Sequence, residues 1–399
     1  MKGFVYRINA VVVCGLLVFA SVAFAKQGEE LIEQREGHDD RPAIVRPTDA
    51  LIRQLKLPEG FRINIFAKNL GAPRMMAVAG DGTVYVTRRD RGDVLALGDR
   101  NGDGKAERTR AVVQNMPGVH GIAIHDHRMY LATVNEVYVA ELKDGNVGEP
   151  KKILGGLPPG GRHPNRTLGF DPQGMLYITV GSTCNCCLEP YAESAAILRT
   201  KADGSDKEIF ATGLRNTLGI GWHPVSKEMY GMDNGTDWLG DGFPPEELNK
   251  LEKGKHYGWP FVYGDQQLID LQDYPAGFDS KAYIAKSTPP VLEYQAHNAP
   301  LQLVFYTASQ FPQEYRNDAF VAMHGSWNRR PPTGYEIVRI KFSPAGKPIE
   351  FQKFVTGFLN KEGTKAFARP AGITMAKDGS LLFSCDRTGV IYRVSYEGR

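Results

Sequence analysis

The chain carries almost no excess charge: 48 Lys and Arg stand against 45 Asp and Glu, a formal +3 at pH 7. No basic run breaks that balance, so electrostatics names neither nucleic acid nor any other charged partner. Long apolar stretches are missing beyond the first 25 residues, and no later segment is long and apolar enough to cross a bilayer. Cysteine is scarce, with 5 in 399 residues, and most of it crowds into Cys184-Asn185-Cys186-Cys187. Glycine (44) and proline (25) are plentiful, and short Tyr, Val, Ile and Phe runs alternate between them. That combination predicts an all-β chain rich in turns, long enough for one large domain or two ordinary ones.

The first residues read as an address. Lys2 and Arg7 give a basic start, an apolar run covers Ala10 to Ala20, and Ala23-Phe24-Ala25 offers small residues where a signal peptidase reads. Cleavage is expected after Ala25, which places the protein in the periplasm or outside the cell. A membrane anchor is the alternative, but the run is short for a span of about 20 residues. Cys14 lies within the apolar run instead of ending it, which argues against a lipid anchor. Export puts Cys184, Cys186, Cys187 and Cys385 in an oxidising compartment. A local bridge, most plausibly Cys184 to Cys187, would staple a loop; metal binding is the other reading, although a zinc site wants better spaced ligands.

One pattern recurs through the chain: an apolar strand, a turn often built on Asp-Gly, Asp-Pro or His-Pro, then a second strand containing Tyr, Leu or Phe. The copies are Met75-Met76-Ala77-Val78 with Val84-Tyr85-Val86, Gly121 to Ile124 with Met129-Tyr130-Leu131, and Leu168-Gly169-Phe170 with Leu176-Tyr177-Ile178. They continue as Gly219 to Trp222 with Met229-Tyr230, Leu301 to Phe305 with Ala319-Phe320-Val321, and Gly372 to Met375 with Leu381-Leu382-Phe383. Several continue into a third strand, as at Val94 to Leu97 and Val390 to Arg393. The early copies start about 45 to 50 residues apart, one four-stranded propeller blade. Six such blades predict a six-bladed β-propeller over residues 51–399, each blade burying its neighbour's face. The strand Arg62 to Phe66 is expected to close the ring beside the last copy. A β-sandwich pair is the alternative and explains the spacing less well. Residues 26–50 are charged, lack apolar periodicity, and read as a mobile or wrapping arm. Insertions are assigned to Trp238–Gln295 and Gln310–Arg316, with loops of that kind expected to wall an axial cleft.

Residues ahead of the innermost strands face that cleft. His163 stands there, and a neutral imidazole can take a hydroxyl proton near neutral pH; a loop histidine bonded only to backbone is the alternative. Arg215 enters the same end, where its fork suits a carboxylate, unless it is paired with a neighbouring loop. Asp233-Asn234-Gly235-Thr236-Asp237, with Glu246 and Glu247 beyond, supplies carboxylates and carbonyls of the kind Ca²⁺ takes, or else a solvated acidic loop. Asp99 to Glu107 has oxygens at alternate positions and Gly104 for a sharp turn, but position twelve is Arg110 and no helix pattern flanks it. It reads as an inter-strand turn, with weak Ca²⁺ binding as the alternative. Basic groups recur at His324 to Arg330 and Arg369-Pro370, so three blades offer Arg to one end of the axis, which suggests an anionic ligand there.

On these residues the chain resembles the glucose/sorbosone dehydrogenase family of soluble quinoproteins, from Leu57 to Val394. The matching stretches are His163-Pro164-Asn165-Arg166, Gly213-Leu214-Arg215-Asn216, Asp233-Asn234-Gly235, Glu247-Leu248-Asn249 with Tyr257-Gly258-Trp259-Pro260, His324 to Arg329, and Arg369-Pro370. The resemblance implies pyrroloquinoline quinone (PQQ) on the propeller axis, beside Ca²⁺. Arg215, Asn216, Asn234, Arg369, Arg329 and His120 would be the cofactor contacts. Gly235 and Thr236 would give carbonyls to Ca²⁺, Glu247 would bind it directly or through water, and His163 would be the general base. It implies oxidation of a sugar or a sugar-derived alcohol or aldehyde, and an electron acceptor such as a periplasmic cytochrome or a quinone. Two positions depart from the family. Ser182 stands where glucose-type members have an Asp that orients the base, and Thr236 replaces a Pro whose carbonyl serves the metal. The other functions open to the chain are a non-catalytic exported propeller that binds a ligand or partner in its cleft, and a Ca²⁺-dependent lactonase-like hydrolase.

Overall fold

The computed structural model describes residues 28–398 apart from 33–34, 144 and 272–273, so the expected signal segment lies outside the described residues. Six antiparallel four-stranded sheets make up the body. The first blade runs Met76–Val78, Val84–Arg88, Asp93–Gly98 and Arg108–Val113. The innermost strands of the others are Gly121–His125, Leu168–Phe170, Thr217–Trp222, Pro300–Phe305 and Pro370–Met375. Each innermost strand packs on that of the next blade, and the sixth packs on the first, so the ring closes. The second blade carries one extra short strand, Asn146–Val147, at its edge.

The closure works as the sequence predicted. Phe61–Ala67 forms the outer strand of the sixth blade, pairing Phe61 with Tyr396 and Ile63 with Val394. Phe61 is 5 % exposed and sits inside an aromatic cage, 4.8 Å from the Phe311 ring and 5.0 Å from Phe354. Joining the two ends of the chain in one sheet leaves the ring no open seam. The turns also follow from residue type. In the third blade Asp171 accepts from the N–H groups of Gln173 and Met175, while Gly174 takes φ +81°.

Both insertions need correction. Glu246–Leu251 and Leu292–Tyr294, assigned to the first insertion, are the third and fourth strands of the fourth blade. Their alternation was obscured by the carboxylates at its start. The true excursion lies between them. It holds a small hairpin, a helix at Ser280–Lys286, and its own aromatic core around Phe261, Phe278 and Tyr283. The second insertion links the first and second strands of the fifth blade, at the end of the ring opposite the strand entrances. Its Phe311 and Tyr315 fill the closure core, so it does not wall the cleft.

Candidate active site

In each blade the first strand leaves, and the second strand returns to, the same end of the ring. The residues before the first strands and after the second strands therefore meet around the axis at that end. His120, His163, Arg215, His324 and Arg369 all stand there, as expected, and Arg74 joins them from the first blade.

His163 is held from three sides. Its N–H bonds to Gly160 O, its carbonyl accepts from the fully buried Arg166, and its Nδ1 lies 2.8 Å from Ser182 Oγ. The Ser182 hydroxyl spends its one proton on Cys184 O at 2.7 Å. It can then only accept from His163, so Nδ1 carries the ring proton and Nε2 carries the lone pair. Burial, and then the Arg215 charge, hold the His163 pKa well below the ordinary imidazole value. Gly181 lets this arrangement form. A Cβ there would come within 2.6 Å of His163 Cβ and 2.9 Å of Asn216 Oδ1, so only glycine lets the two approach.

Arg215 is 3 % exposed and makes four hydrogen bonds to protein. Its Nε and Nη2 donate to Asn185 O and Oδ1, Nη2 also meets Asp237 Oδ2 at 2.9 Å, and Nη1 reaches Asn234 O. Of the two readings open for Arg215, its hydrogen bonds follow the pairing with a neighbouring loop. Asn234 braces two blades, donating to Asn216 O and Pro300 O. Arg329 is likewise turned to protein, donating to Ala296 O and Pro331 O. Arg369 is half-buried and rests on His324 O and Gly325 O. His120 is wholly buried between Arg166 O and Arg74, and burial, with the Arg74 charge, pushes its pKa down to about 3. Arg74 pairs with Asp386 at 2.6 Å, and His324 Nε2 lies 3.7 Å from the same carboxylate. Arg74 and Asp386 were missed, although Arg74 precedes the first copy as Arg369 precedes the sixth.

Beside this ring lies a small cavity lined by Asp233, Gly235, Glu247, Trp259 and Tyr263. Asp233 and Glu247 are direct cross-strand partners, like charges that repel. Burial pushes Asp233 up to about 6 and both Glu246 and Glu247 up to about 8. Glu246 accepts from Gly235 N and Ala299 N, and Glu247 from Gly264 N and Asn249. Thr236 is buried, its hydroxyl bonded to Tyr263. Buried carboxylates without a compensating cation take either a proton or a metal, so this donor set fits a hard divalent ion. The Cys184–Cys187 disulfide forms, which removes those thiols as metal ligands. The Asp99, Asp103 and Glu107 carboxylates converge in a turn between two strands of the first blade, far in sequence from this site.

A six-bladed ring with an oriented imidazole, arginines and a buried acidic cavity at one axial end defines a propeller with a small-molecule site on its axis. The chain matches the TrAA12-like family over residues 55–397 and belongs to it. It is 33 % identical over 372 residues to an uncharacterized protein of Borreliella burgdorferi, covering 89 % of this chain and 94 % of that one. It is 24 % identical over 393 residues to the pyrroloquinoline quinone-dependent sugar dehydrogenase of Hypocrea jecorina, covering 84 % and 87 %. The calcium structure of the Trichoderma reesei carbohydrate-active enzyme of family AA12 superposes with a TM-score of 0.74 at 23 % identity, over 86 % of this chain and 97 % of that one. That last likeness establishes the fold.

Proposed function

We propose that this protein is a PQQ- and Ca²⁺-dependent oxidoreductase that oxidises a sugar or a sugar-derived alcohol or aldehyde after export to the periplasm or beyond. The reading is carried by His163: a half-buried, uncharged imidazole whose Nδ1 proton is fixed by Ser182, leaving Nε2 to take a substrate hydroxyl proton. The named function of the Hypocrea relative and the calcium in the Trichoderma structure support the same cofactor pair.

Both cofactors fit the residues present. Asn216 and Arg369, both only half-buried, are the proposed direct contacts of the quinone, while Arg215, Asn234, Arg329 and His120, all buried and hydrogen-bonded to protein, position the wall around it. The carbonyls of Gly235 and Thr236, with Glu247, are the proposed Ca²⁺ ligands, and the raised carboxylate pKa values support a cation there. When bound, the quinone supplies the two-electron acceptor for the substrate C–H hydride, and the metal supplies Lewis acidity. The protein's own tasks are then orientation, counter-charge and proton removal. Ser182 aims the imidazole, and Arg166 holds the His163 carbonyl 3.1 Å away.

The test mixes purified apo-protein with PQQ and Ca²⁺, follows absorbance, and measures reduction of an artificial acceptor by a panel of sugars. Failure to take up the quinone refutes the proposal. Uptake without turnover makes the chain a binding protein, and lactone hydrolysis with Ca²⁺ alone makes it a hydrolase.

A further inference from the structure

The described residues ahead of the propeller, 28–32 and 35–44, lie along the cleft end as a strap, stitched to four successive blades. Glu30 bridges to Cys187 of the third blade, Glu36 to Leu239 of the fourth, Asp40 N to Trp327 O of the fifth, and Ala43–Ile44 pairs with Lys365–Ala366 of the sixth. Arg35 stacks over Trp238 and Arg41 over Trp327 along the way.

Its first stitch reaches furthest into the site. Glu30 accepts from Asn185 N at 2.9 Å and from Cys186 N at 3.0 Å. These are the inner residues of the four-residue disulfide loop, and both are buried. Asn185 is a hub with every polar group in use. Its carbonyl and Oδ1 accept from Arg215 Nε and Nη2, Oδ1 also accepts from Asp237 N, and Nδ2 donates to Asp237 O. Arg162, next to His163, lies 4.0 Å from Glu30 and 3.3 Å from Asp237. Gly28 packs so closely on Cys187 that a Cβ would fall 2.1 Å from its Sγ. A carboxylate that holds two adjacent N–H groups fixes a loop in both position and twist.

We infer that Glu30 is a positioning residue for the active site: acting through Asn185, it sets the Arg215 and Asp237 pair beside the base and the proposed metal. The inference rests on the function proposed above for its catalytic meaning, but not for its geometry. Replacing Glu30 leaves two N–H groups of a buried loop without an acceptor, and the loop loosens where it grips Arg215.

The test compares wild type, Glu30→Ala, Glu30→Gln and Asp40→Ala. Asp40 makes an exposed pair with Arg330 on the same strap and serves as the control. In ¹⁵N-arginine-labelled apo-protein, with the signal assigned by Arg215→Lys, the Arg215 Nε–H should exchange at least about tenfold faster in Glu30→Ala. Glu30→Gln, which keeps one acceptor, should fall between and carries the test if Glu30→Ala does not fold. Quinone affinity should weaken about 10- to 100-fold in Glu30→Ala, as when partners that orient ligand-holding groups are lost. Asp40→Ala should match wild type in both readouts. Unchanged Arg215 exchange in both Glu30 variants overturns the inference, as does an equal effect from Asp40→Ala. If wild type binds no quinone, the proposed function falls, and the Arg215 exchange rates alone decide the role of Glu30.

Discussion

Ser182→Ala separates an oriented base from a merely neighbouring histidine. The change removes two contacts of one hydroxyl, 2.8 Å to His163 Nδ1 and 2.7 Å to Cys184 O. The imidazole is not abandoned, because Nδ1 also lies 3.1 Å from Ser182 O and can keep its proton there. The loss is therefore one neutral hydrogen bond in orientation, about 0.5–1.5 kcal/mol, or about 2- to 12-fold in kcat. The Cys184 carbonyl also loses its hydroxyl donor, at a cost to stability of about 1–3 kcal/mol. The assay is kcat for the quinone- and Ca²⁺-loaded enzyme with an artificial acceptor, with urea midpoints measured alongside. The decisive comparison is the double mutant. With His163→Ala already present, the hydroxyl has nothing to orient, so Ser182→Ala should cost no further activity. An equal loss in both backgrounds, or none in the wild-type background, refutes the assignment of Ser182 as the orienting group.

His163→Ala itself should bind the quinone with wild-type affinity yet lose about 10²-fold or more in kcat, measured by cofactor titration beside steady-state rates. His163, His120 and His324 all have pKa values depressed below 6.5, chiefly by burial. The unfolded chain thus binds more protons below that value, and stability should fall as pH drops through 6.5 in urea titrations, while the rate shows no acid limb near 6.5. Glu246 and Glu247 have the opposite sign, raised from 4.5 to about 8. Apo-protein stability from these two groups should fall as pH rises through that window. Ca²⁺ should raise the melting temperature more at pH 8 than at pH 5, and Glu247→Gln should remove most of that increment. Phe61→Ala should cost about 3–5 kcal/mol in urea unfolding, because it empties the cage that joins the chain ends.

The repeat was legible because each blade writes its own alternation and turn, so all six inner and second strands and the closing strand could be read from residue type alone. The fourth blade was harder. Glu246-Glu247-Leu248-Asn249 places carboxylates where strand residues are usually apolar, and it read as a loop although Glu246 and Glu247 are buried in the sheet. The elements of the site were also legible one by one, because strand entrances converge whatever their sequence separation. Their partners were not. Arg215 looks open in the sequence, and nothing in Cys184-Asn185-Cys186-Cys187 says that Asn185 takes up its fork. Such pairings are set by where loops of different blades fold back, which no local pattern records.

The misread strand explains why a cation belongs in this fold. Setting Asp233 against Glu247 on neighbouring strands, with Glu246 beside them, costs stability in any sheet. Backbone N–H groups offset part of that cost: Arg215 N and Asn216 N serve Asp233, and Gly235 N and Ala299 N serve Glu246. The nearest full positive charge, the Arg215 guanidinium, is committed to Asp237 at 2.9 Å. Without a cation, Glu246 and Glu247, next to the Gly235–Thr236 turn, therefore keep their protons up to about pH 8. Around the axis the balance is reversed: the acidic partners of Arg74, Arg162, Arg215 and Arg369 are Asp237, Asp386 and the part-exposed Glu30, fewer than the arginines. Surplus positive charge on the axis and protonated carboxyls in a pocket beside it fit an anion and a cation bound side by side, the cation displacing the carboxyl protons. His163, the proposed base, opens from the same axial end, with the Arg215 charge beside it.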